Sequence, residues 1–104
     1  MANNKLYLGE GRKAFLSIKT ENGKTMDEYD FYVEVYCNPA EKVFISKSDM
    51  KRLDEKSYQF TFNTRDVGKG RLRYRIVAEI PDADFKDGLS PAIDDIDTGL
   101  DIVD

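Results

Sequence analysis

Apolar and charged side chains alternate most regularly from Arg71 to Ile80, with Leu72, Tyr74, Ile76, Ala78 and Ile80 on one side and Arg71, Arg73, Arg75 and Glu79 on the other. A period of two is the signature of a β-strand with one buried face. Only Val77 departs from it. A strand this long requires partners on its edges and a second layer over its apolar face, which the rest of the chain must supply.

Further runs predict those partners. Lys5 to Leu8 and Arg12 to Lys19, separated by Gly9-Glu10-Gly11, read as a first strand and its continuation, with Ala14, Leu16 and Ile18 sharing a face. In Glu21-Asn22-Gly23-Lys24 the Asn-Gly pair predicts a tight type I′ reversal, because both central positions need positive φ. Tyr29 to Cys37 alternates as a core strand, with Phe31, Val33, Val35 and Cys37 inward and Tyr32, Glu34 and Tyr36 outward. Asn38-Pro39 turns the chain into a short strand from Lys42 to Ser46. Ser48 to Glu55 reads as a loop pinned by Met50 and Leu53, and Ser57 to Asn63 as a strand with Tyr58, Phe60 and Phe62 inward. Gly68 and Gly70 supply the turn into the long strand.

After Ile80 the alternation fails. Pro81 to Pro91 predicts an ordered loop anchored by Phe85, and whether Leu100 to Val103 adds a last strand stays open. Six or seven strands with no credible helix predict an all-β fold, a two-sheet antiparallel immunoglobulin-like β-sandwich, with a small β-barrel as the alternative.

At 104 residues the chain is one domain, spanning 1–104, able to fold without disulfides or metal. The single cysteine, Cys37, excludes an internal disulfide, and its inward position predicts an inert buried thiol. The start lacks an apolar signal region and no run approaches the roughly 20 apolar residues of a membrane span, so the expectation is a protein cytoplasmic when made, without a membrane partner. The net charge of −4 is unevenly placed. Residues 1–81 carry 15 Lys or Arg against 12 Asp or Glu, whereas the acidic segment 82–104 carries eight Asp against Lys86. Such a tail repels phosphate, which argues against nucleic acid and allows the tail to fold back on its own body.

The chemistry is mostly negative. With no histidine the chain has no Ser-His-Asp or Cys-His arrangement and no imidazole base, so no enzyme, catalytic residue or cofactor is expected. Asp82, Asp84 and Asp87, followed by Gly88, evoke half of a calcium loop, but the third Asp falls one residue late and Ile93 stands where a bidentate Glu is needed. These carboxylates are expected to accept hydrogen bonds from their own loop, and no metal site is assigned. Arg71, Arg73 and Arg75 form an outward basic row, read either as a patch for an acidic partner or as a face paired across to Tyr32, Glu34 and Tyr36. The candidate partner-binding residues are therefore Tyr32, Tyr36, Arg71, Arg73 and Arg75.

The stretches Asn22 to Thr25, Phe44 to Arg52, Gly68 to Leu72 and Ile80 to Gly88 resemble, in strand order and turn placement over residues 12–103, small β-sandwich proteins of prophage tail modules. The layout is similar to the immunoglobulin-like amino-terminal domain of phage baseplate upper proteins. That resemblance implies a non-catalytic structural module, engaging a protein partner or a second copy and incorporated into a virion-like assembly. It carries no functional residue across, and the sequence shows no fibrous extension of the kind that follows such a domain. A small carbohydrate- or ligand-binding β-sandwich module is the alternative, which would need exposed flat aromatics.

Overall fold

The structure, a computed structural model, describes residues 4–19 and 24–104. The expected Asn22-Gly23 reversal lies outside the described residues. Among the described residues eight strands form two sheets: β1 (Lys5–Tyr7), β2 (Gly11–Leu16), β3 (Asp30–Tyr36), β4 (Val43–Ser46), β5 (Lys51–Asp54), β6 (Ser57–Asn63), β7 (Gly70–Pro81) and β8 (Leu89–Val103). One sheet has the order β1-β8-β7-β3-β4 and the other β2-β6-β5. The expected all-β class therefore holds, but with eight strands rather than six or seven, and with β1 parallel to β8 in an otherwise antiparallel arrangement.

The long alternating run is β7, flanked on one side by β3 and on the other by β8. Its inner residues Leu72 and Ala78 are buried with Phe31, Val33 and Val35 of β3, against Leu16, Tyr58, Phe60 and Phe62 of the smaller sheet. Tyr74 and Ile76 pack partly buried against the same cluster. One core thus joins both sheets, and the rings of Phe60 and Phe62 meet Tyr74 edge-on at 5.4 and 6.0 Å.

Four expectations are corrected. The runs 5–8 and 12–19 are not one continued strand: the chain turns at Gly9, whose φ is +101°, and β2 leaves for the opposite sheet. Thr64 fastens this crossing, its buried hydroxyl donating to the Tyr7 carbonyl at 3.0 Å and accepting from the Gly9 amide at 2.8 Å. Residues 51–54 form β5 against β6 instead of a pinning loop, and Leu53 is exposed rather than anchoring it. Short helical turns interrupt the all-strand pattern, 3-10 turns at Met26–Glu28 and Lys47–Asp49 and α1 (Thr64–Val67), the last capped by the Asn63 side chain accepting from the Arg65 amide. Finally, residues 89–103 are a strand throughout, pairing with β7 from Gly70 to Pro81. The only loop left of the expected 81–91 segment is the 82–88 tip. There Asp82 and Asp87 accept from the Asp84 and Leu89 amides, as expected, while Phe85 is exposed rather than anchoring the loop.

Candidate functional site

Strand register arranges the outward face of the larger sheet in rows. Ser46, Tyr32, Val77 and Ile93 lie side by side, then Phe44, Glu34, Arg75 and Asp95, then Tyr36, Arg73 and Asp97. All five candidate partner-binding residues stand on this one face. Val77, the break in the alternation, is buried there beside Tyr32 and Ile93.

The arginines are already occupied. Arg71 bonds Asp101 at 2.8 Å and Asp97 at 3.4 Å, Arg75 bonds Asp95 at 2.8 Å, and Arg73 lies 3.8 Å from Asp97. These contacts raise the pKa of Arg71 and Arg75. They lower that of Asp95 through Arg75, while Asp97 is lowered first by the Gly99 amide and then by Arg71. The row of charge read from the sequence as a patch for an acidic partner is thus met by the carboxylates of the chain's own last strand. The expected pairing across to β3 goes to a different cation: Lys42 bonds Glu34 at 3.1 Å and lies 5.3 Å from the Tyr36 ring centroid. Tyr36 is only 7% exposed, whereas Tyr32 packs its ring against Phe44 at 4.7 Å.

Cys37 is half-buried, with its thiol directed at the Gly68 and Gly70 carbonyls, and burial raises its pKa. That environment opposes thiolate formation. Among the described residues no group of three or more His, Cys, Asp or Glu is placed to hold a metal ion.

Sequence reasoning missed two features. The first is a polar knot in which Asp27 accepts from Arg52 at 2.8 and 2.9 Å and from the Tyr58 hydroxyl, holding its pKa down at about 2. Beside it the Lys47 ammonium donates to the Met26, Asp27 and Tyr29 carbonyls. Nothing in the run around Asp27 signals this, because its partners come from distant strands. The second is the open side of the molecule. β1 pairs with β8 only at Asp101 to Val103, so residues 89–100 of β8 form a sheet edge with no partner strand among the described residues. Ile93 is 62% and Ile96 37% exposed along it. Facing that edge is β2, the edge strand of the smaller sheet. Between them runs a trough floored by Tyr74, Ile76 and Ala78, with volumes of about 560 and 180 Å³ in its two halves. No protein family, curated protein or solved structure matches the chain.

Proposed function

We propose that the protein is a non-catalytic assembly module, an open β-sandwich of the immunoglobulin-like class that engages a protein partner by extending a sheet at the free edge of β8. The observation that carries this reading is the edge of residues 89–100 that faces away from β7, with no strand beside it among the described residues, and its exposed isoleucines. An unpaired edge presents a row of amides and carbonyls to another chain, and the side chains beside it set which sequence fits. A phage-tail or baseplate-like setting remains the proposed context, resting on the layout of strands and turns.

The outward Arg and Tyr face takes a secondary place, because its cations and carboxylates already satisfy one another. Less supports the carbohydrate-binding alternative. The Tyr32 and Phe44 rings are inclined at 39° rather than coplanar, and Tyr36 is buried, so this face lacks a flat platform for a sugar ring.

The test is to pan a displayed library of short peptides against the folded chain and map each binder by amide chemical-shift changes. Extended sequences perturbing residues 89–100 are the expected result. Binders that perturb only the β3 and β7 face, or a library that yields none, would overturn the edge reading.

A further inference from the structure

The two lips of the open side carry opposite charge. From Gly11 to Lys19 the β2 lip holds Arg12, Lys13 and Lys19 and no acid, while residues 89–100 hold Asp94, Asp95 and Asp97 and no base; Asp95 and Asp97 also meet the β7 arginines, which leaves Asp94 as the carboxylate those pairs do not take up. Along the trough, Arg12 and Lys13 stand level with Asp97 and Thr98, and Ile18 and Lys19 level with Ile93 and Asp94. The two strands therefore pass each other in antiparallel sense, unpaired, each the edge of its own sheet.

We infer that the open side is a self-complementary interface, and that its occupant is a second copy of this chain. A two-fold axis parallel to the strands sets each copy's β8 beside its partner's β2. Both new pairs are antiparallel and, because such an axis leaves positions along the strands unchanged, the charges stay level. Each larger sheet then continues into the partner's smaller sheet, and the apolar floors close over one another. The alternative two-fold axis, running across the strands, would pair β8 with β8 and set Asp against Asp, which is destabilising for residues directly opposite. Charge thus selects one of the two symmetric arrangements, and an isologous contact closes at two copies, leaving neither the β8 nor the β2 lip free to propagate. The outward faces agree as well. Lys13, exposed Phe15 and Lys19 of one copy extend the face that bears Asp95 and Asp97 in the other.

This inference rests on reading the β8 edge as a docking surface, but the two fail separately. A chain that stays monomeric while peptides map to residues 89–100 sinks only the dimer.

The experiment is charge reversal with complementation, read by sedimentation. The wild type is expected to be dimeric at micromolar to tens of micromolar concentration. Lys13→Glu/Lys19→Glu sets acid against acid in both strand pairs, and Asp94→Lys, which leaves the Arg75–Asp95 pair of the fold intact, sets base against base. Each variant should weaken the dimer on the order of a hundredfold, since like-charge juxtaposition costs several kcal/mol across an interface. An equimolar mixture restores opposite charge in both pairs at once and should recover the dimer. A monomeric wild type, a dimer that survives either reversal, or a mixture that stays monomeric overturns the proposal. Should a variant fail to fold, hydrogen exchange on the wild type decides instead. Amides of residues 11–16 and 89–99 must gain protection as concentration rises, and concentration-dependent protection confined to β4 or β5 would refute the arrangement.

Discussion

Ile102→Ala tests whether the acidic end of the chain is part of the fold or an appendage. Ile102 is 2% exposed, sits in the central strand of three between Leu6 of β1 and Gly70 of β7, and belongs to the same cluster as Phe31 and Leu72. Its truncation leaves a void that neighbouring strands cannot fill, because Leu72 and Val33 are held by their own backbone ladders. Buried Ile→Ala changes cost about 2 to 5 kcal/mol. A domain of this size has a total stability of about 5 to 15 kcal/mol, so a loss near 3 kcal/mol is a large fraction and lowers Tm by roughly 12 to 24 °C. The assay is equilibrium unfolding in urea, with Ile93→Ala as the internal comparison. Ile93 lies on the same strand but is 62% exposed, and its truncation should stay within about 0.5 kcal/mol of wild type. Equal, small losses at both positions would show that residues 89–103 contribute nothing to the core. By the same reasoning, a chain ending at Asp87 should not fold, since it would lose Ile102, Leu100 and the whole of β8, one of the two strands that flank β7.

Asp27→Asn should remove an acid-sensitive contribution to stability. The folded Asp27 carboxyl titrates at about 2, below its ordinary 3.8, so its contribution is complete above about pH 4 and disappears as the pH falls towards 2. The stability gap between wild type and variant should narrow over that range in denaturant melts, and a pH-independent gap would refute the assignment. Gly70→Ala should cost about 1 to 3 kcal/mol. Its φ is +130° and an added Cβ would meet the Cys37 Cβ at 3.3 Å, so a neutral result in melts would contradict the described turn. Millimolar calcium should leave Tm unchanged, because Asp82 and Asp87 are engaged by loop amides and a ligand that does not bind the native state cannot stabilise it. A saturable rise abolished by Asp84→Asn would establish a site there.

Strands that bury one face were legible, and those that bury neither were not. Tyr58, Phe60 and Phe62 announce β6 because the core demands an apolar residue at every second position. Residues 91–97 of β8 are exposed on both sides, since the smaller sheet does not reach over them, so burial imposes no alternation. Asp is also a poor strand former. What aligns this stretch with β7 is charge, and the clue lay in two separate places: Arg71, Arg73 and Arg75 in one run, Asp95, Asp97 and Asp101 in another. The Arg73–Asp97 and Arg71–Asp101 pairs are offset by a bulge, in which Gly99 adopts a φ of +75° and the Thr98 hydroxyl donates to the Leu72 carbonyl at 2.8 Å. A strict period of two cannot be read across such an insertion. The crossing of β1 and β2 to different sheets was hidden for another reason. It depends on Thr64, more than fifty residues away in sequence.

The aspartates of β8 admit two physical roles, and salt separates them. Charged residues and proline on an edge strand are the usual guard against edge-to-edge association, and Pro91, Asp94 and Asp95 fit that description. If they only guard, association is held off by repulsion between like strands, and screening should release it. If they guide, opposite charge on β2 supplies part of the attraction, and screening should weaken it. The Debye length falls from about 10 Å at 0.1 M salt to about 3 Å at 1 M, shorter than the spacing between adjacent strands of roughly 5 Å. Over that range the two roles predict opposite slopes for the same measured quantity, the fraction of chains associated. Residual attraction at high salt would then report the apolar share, carried by Ile93, Ile96 and Phe15. The guarding and guiding roles are compatible in one direction only. A β8 edge that rejects its own copy still accepts β2, so the charges that prevent open-ended pairing are the ones that leave the closed dimer as the permitted outcome.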